Sequence, residues 1–139
     1  MISPAKRHMP ETGWIGFQTN GSLLDWPSAR SLIEAGTDKI CLSVDSLSPA
    51  LFRRTRSCGE LAMVDRALGA VNLARSEIDA RHVQFGIEFV LMKGNFRELP
   101  AVIAWAAQRG ASFVIQPICF PITIRFRKRF SGLRIWMQP

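Results

Sequence analysis

The chain has 139 residues, 47% of them hydrophobic, with 18 Lys+Arg against 11 Asp+Glu and a formal net charge of +7. That length and apolar content suit one compact domain and exclude a wholly disordered chain. No apolar run reaches the roughly 18 to 20 residues of a membrane-spanning helix, and the start, MISPAKRHMPETG, lacks the apolar stretch of a secretory signal, so a cytoplasmic protein without membrane contact is expected.

The first expected strand is Trp14 to Thr19, closed by the turn pair Asn20-Gly21. A helix follows, with Pro27 suited to its first position, Ala29, Leu32 and Ile33 spaced as a buried stripe, and Gly36 suited to the left-handed residue past its end. Lys39 to Val44 is almost wholly apolar, as a strand buried on both faces of a parallel sheet would be, and stops at Asp45-Ser46. Residues 46 to 59 read as a loop with one short turn. Leu61, Val64, Leu68 and Val71 then mark a helix running to about Arg75, and Val83 to Leu91 a third strand broken by Lys93-Gly94-Asn95.

Asn95 followed three residues later by Glu98 has the spacing of a capping box, in which each side chain satisfies a backbone amide of the other's segment. Leu99, Val102, Ile103, Ala106 and Ala107 share one helical face, Gly110 suits the C-terminal cap, and Ser112 to Ile115 is the fourth strand. The order of strand, helix and strand throughout predicts right-handed crossovers and a parallel sheet, whose ligands sit beyond the carboxyl ends of its strands. Four parallel strands alone leave two long edges, which points to part of a larger sheet.

The following pieces at these strand ends occur in order: Thr19-Asn20-Gly21; Ala35-Gly36-Thr37-Asp38-Lys39-Ile40 leading to Ser43-Val44-Asp45; Arg56-Ser57-Cys58-Gly59; Lys93-Gly94-Asn95 with Glu98-Leu99; and Arg109-Gly110-Ala111 before Phe113-Val114-Ile115. Together they resemble the third to sixth βα units of radical S-adenosylmethionine (radical SAM) enzymes. The resemblance covers residues 14 to 117 and implies a partial (β/α)6 barrel. It also implies S-adenosylmethionine and a [4Fe–4S] cluster as cofactors, for 5′-deoxyadenosyl radical chemistry. In that reading Thr19 and Ser43 would offer hydroxyls to the bound cofactor, with Asn20 beside them. Asp45 would accept from its ribose or ammonium, and Arg56 would pair with its carboxylate. Turn chemistry is the other reading of these short polar side chains, and a solvated surface arginine the other reading of Arg56.

The sequence departs from that family at its cluster. The three-cysteine C-x-x-x-C-x-x-C motif, the first two βα units and the Gly-Gly-Glu stretch have no counterpart here. Cys41, Cys58 and Cys119 have neither that spacing nor a disulfide framework, so no metal site built by this chain and no catalytic residue of its own are expected. Whether the chain is an enzyme by itself stays open, since the cluster half of the barrel would have to come from a longer product or from another chain.

Residues 119–139 hold Arg125, Arg127, Lys128, Arg129 and Arg134 and no acid, so most of the net charge belongs to a tail. The expected organisation is a lead over residues 1–13, the barrel part over 14–118, and a basic tail over 119–139 that is disordered or translated from a shifted frame. A small α/β binding module using that tail for nucleic acid or another polyanion, and a non-functional gene remnant, are the alternative readings; nucleic acid is not the favoured partner.

Overall fold

Strands and helices alternate along the chain in the computed structural model, which describes residues 6–10, 12–56 and 60–117. They are β1 (Gly16–Thr19), α1 (Trp26–Glu34), β2 (Lys39–Ser43), α2 (Pro49–Thr55), α3 (Leu61–Glu77), β3 (Gln84–Glu88), α4 (Leu99–Gln108) and β4 (Phe113–Ile115). Short 3-10 turns lie at Lys6–His8 and Phe96–Glu98. The four strands form one sheet in the order β1-β2-β3-β4, every pair parallel, as the crossover pattern requires. The basic tail of residues 119–139 lies outside the described residues.

Local chemistry accounts for the helix boundaries. The Asp25 carboxylate accepts from the Ser28 amide at 3.0 Å to start α1, with Pro27 inside its first turn. Gly36 beyond α1 and Gly110 beyond α4 take φ of +98° and +75°, the left-handed conformation that a side chain disfavours.

Strand alternation divides the sheet into two faces. Ile40 and Leu42 of β2 with Val44 just past it, and Phe85 and Ile87 of β3 with Phe89 just past it, are fully buried on the same face. Their cluster includes Ala29 and Ile33 of α1, Phe52 of α2, Val64, Leu68 and Val71 of α3, and Val102 and Ala106 of α4. All four helices therefore pack on one side. The intervening residues, Gln18, Cys41, Ser43, Gly86, Glu88, Phe113 and Ile115, form the other face, which no helix of the described residues covers. Parallel sheets are normally covered on both faces, so this face is the inner wall of a partial barrel. A Cβ on Gly86 would stand 2.3 Å from the Phe113 ring, so glycine there lets the aromatic ring lie across β3.

Several expected elements change in extent or kind. The first and third strands are shorter, Gly16–Thr19 and Gln84–Glu88 rather than 14–19 and 83–91. Within residues 46 to 59, read as a loop, Pro49–Thr55 is a helix: the Ser48 hydroxyl accepts from the Leu51 amide, and Phe52 reaches the core. On α4 the buried positions are Val102 and Ala106, whereas Ile103 is 47% exposed, because the helix presents a narrower stripe than five apolar residues suggested.

The capping box does not form. Asn95 makes no side-chain cap to the turn that follows it, and the Glu98 carboxylate turns away to the Ser46–Leu47 loop. Each side chain has a partner in the segment after β2, Asp45 for Asn95 and Ser46–Leu47 for Glu98, that a local pattern cannot show.

Candidate functional site

The open face carries a hydrogen-bonded row of three side chains from three adjacent strands. Gln18 on β1 donates from Nε2 to the Ser43 hydroxyl on β2 at 2.9 Å, and that hydroxyl donates to Oε2 of Glu88 on β3 at 3.2 Å. Ser43 and Glu88 are direct partners in the parallel register, which explains their meeting. Beneath them on the same face is Cys41. Burial, together with the nearby Glu88 charge, pushes its thiol up to about 12.

Just past β2, the Arg56 guanidinium donates from Nε to Oδ2 of Asp45 at 2.7 Å. Both side chains are largely buried, at 21% and 12% exposure, so this pair is shielded more than a surface ion pair. Arg56 directly follows α2, so the unexpected helix is what returns it to the strand end. Only its Nε is bonded among the described residues, which leaves its terminal amino groups as further donors.

The loop between these groups is held from behind by the residues after β3. Asn95, 1% exposed, accepts at Oδ1 from the Met92 amide at 2.7 Å and donates from Nδ2 to the carbonyls of Asp45 at 2.8 Å and Val90 at 2.9 Å. The Glu98 carboxylate accepts from the Ser46 hydroxyl at 2.8 Å and the Leu47 amide at 2.7 Å. Asp45 thus has its backbone fixed by one segment and its side chain by another.

Thr19 and Asn20 stand apart from this arrangement. The Thr19 hydroxyl accepts from the Gly21 amide at 3.1 Å, and the Asn20 side chain accepts from the amide and hydroxyl of Ser22. These are turn contacts at the end of β1. The structure therefore joins Asp45 with Arg56 and joins Ser43 with Gln18 and Glu88. Gln18 and Glu88 were not singled out from the sequence, although the polar residues in an otherwise apolar alternation were the available signal.

No protein-family profile matches the chain. Among curated proteins, it is 35% identical over 119 residues to a GTP 3′,8-cyclase of Rhodopseudomonas palustris, covering 83% of this chain and 32% of that relative. It is 33% identical over 97 residues to the GTP 3′,8-cyclase of Caulobacter vibrioides, covering 70% of this chain and 26% of the relative. Among solved structures, native anSMEcpe with bound AdoMet superposes with a TM-score of 0.62 at 20% identity, over 85% of this chain and 31% of that one. The chain forms a partial radical SAM domain. It spans about a quarter to a third of the length of these curated relatives, and the likeness to anSMEcpe shows the shared fold.

The radical SAM family implies S-adenosylmethionine and a [4Fe–4S] cluster. The described residues do not fit the cluster: no three His, Cys, Asp or Glu side chains among them are grouped to hold a metal ion, and Cys41 is a buried thiol far from its thiolate form. The donor set at the strand ends does fit S-adenosylmethionine. A guanidinium whose terminal amino groups have no hydrogen-bond partner among the described residues suits its carboxylate, and carboxylate and hydroxyl groups suit its ammonium, sulfonium and ribose. No helix among the described residues is long and apolar enough to cross a membrane.

Proposed function

We propose that this chain supplies part of the S-adenosylmethionine-binding rim of a radical SAM enzyme, with the cluster ligands provided from outside the described residues. The observation that carries the reading is the shielded Asp45–Arg56 pair at the carboxyl end of β2, in a fold whose solved neighbour holds AdoMet. Arg56 would give its free amino groups to the cofactor carboxylate, and Asp45 would keep the guanidinium plane oriented through Nε. Ser43 would meet the ribose from the inner face, and Thr19 and Asn20 would border the ligand at the neighbouring strand end. The bound cofactor would supply the adenosyl radical once reduced by a cluster; this chain's part is binding and orientation. Residues 14–118 form the barrel portion in this reading, with 1–13 as a lead and 119–139 as a separate basic tail.

Equilibrium dialysis of the full chain with labelled S-adenosylmethionine tests the reading. Saturable binding is expected, and Arg56→Ala should weaken it about tenfold or more, since a charge-assisted hydrogen bond contributes about 1.5–3 kcal/mol. Binding that is absent, or unchanged in Arg56→Ala, would refute it.

A further inference from the structure

Glu88 is a charged group that the rim does not use. Its side chain is half-buried on the open face and takes part in no ion pair among the described residues. Among the described residues one hydrogen bond reaches it, from the Ser43 hydroxyl to Oε2, although a carboxylate offers about four acceptor sites. The cation that β2 places on this face, Lys39, pairs in register with Gln84 at the opposite end of β3 and is stacked on Trp14 at 4.1 Å. A half-buried carboxylate keeps part of its water, and a cation brought by a ligand can fill the acceptor sites that the described residues leave open.

The surroundings shape what would fit. Ser43 and Gln18 steady one side of the carboxylate, while Ile115, its register partner on β4, and Phe113 make the other side apolar. Glu88 lies level with Ser43, and Asp45 is two residues further along, about 7 Å at strand rise. The two carboxylates therefore address different depths of the face. We propose that Glu88 is the recognition carboxylate for a cationic nitrogen group, an ammonium or guanidinium, on a molecule lying against the open face, with Ser43 and Gln18 as its positioning residues. This rests on reading that face as the ligand side of a radical SAM domain, but not on the Asp45–Arg56 pair. Either the cofactor itself or a second molecule can supply the cation, and the chemistry is shared.

The test is a proton–nitrogen NMR titration of the full chain with methylguanidinium chloride at constant ionic strength, beside neutral acetamide. Saturable shifts are expected at the Ser43 and Glu88 amides and the Gln18 side chain, with binding weaker by about two- to fivefold in Glu88→Gln. Gln18→Ala, at an exposed position, should weaken it less, and it decides the matter if Glu88→Gln loses its dispersed spectrum. Repeating the titration with S-adenosylmethionine present separates the sources: displacement assigns the cation to the cofactor, independent binding assigns it to a second molecule, and both uphold the site. Shifts that do not saturate, that are unchanged in both variants, or that acetamide reproduces would overturn it. Because Glu88→Gln leaves Arg56 intact, failure here with normal Arg56-dependent S-adenosylmethionine binding would leave the rim standing.

Discussion

Replacing Asn95 by Ala and by Asp separates a tertiary bracket from a helix cap. In the structure the 1%-exposed side chain serves three backbone groups, the Met92 amide and the Asp45 and Val90 carbonyls. Truncation to Ala removes three hydrogen bonds of about 1 kcal/mol net each and leaves buried groups that cost about 1–3 kcal/mol apiece when unpaired. Met92 and Val90 are half-buried, so water recovers part of the loss, and a net cost of roughly 2–4 kcal/mol follows. That is a large fraction of the roughly 5–15 kcal/mol that holds a domain together. Asn95→Asp should cost about as much, because its second oxygen would face two carbonyls where the amide now donates. A capping role predicts the opposite for Asp, which caps as well as Asn. Urea unfolding followed by circular dichroism, with midpoint and slope fitted for each variant, measures both. An Asn95→Asp variant within about 0.5 kcal/mol of the parent would refute the bracket.

Two further perturbations follow from perturbed ionisations. Burial works to raise the Asp38 carboxyl, but hydrogen bonds from Lys6 at 2.5 Å and the Ile15 amide at 2.8 Å outweigh it and hold it below its ordinary value. A depressed carboxyl contributes stability above its unfolded value, near 3.9, and loses it as pH falls through the folded one. The stability difference between the parent and Asp38→Asn should therefore be constant from neutral pH to about pH 5 and shrink in acid, as read by urea unfolding across pH; a difference that grows on acidification would contradict this. Cys41, pushed up to about 12, should escape iodoacetamide at pH 8 in the native chain and react after unfolding, as peptide mass mapping reads. Equal labelling of both states would show the thiol to be accessible and ionisable.

Periodicity was enough to read the element order, the parallel sheet and most of the core. Leu42, Val64, Leu68, Val71 and Val102 fall where apolar spacing puts them. Helix α2 was missed because seven residues with one buried position, Phe52, make too short a pattern to repeat. Of the candidate site residues, Asp45 and Arg56 come together as an ion pair, whereas Thr19 and Asn20 are engaged in turn contacts of the kind that short polar side chains make anywhere.

Apart from α2 and the exact strand ends, the identity of the strands and helices and their parallel return follow from the sequence alone, because burial periodicity and crossover length act within a few tens of residues. Only the tertiary structure decided what the polar side chains do. Gln18, Ser43 and Glu88 form a row because the register places three strands side by side, and Asn95 and Glu98 leave their own helix start because Asp45, Ser46 and Leu47 arrive from 50 to 52 residues away. A hydrogen bond is satisfied by whichever partner the fold brings within about 3 Å, and nothing in local spacing names that partner.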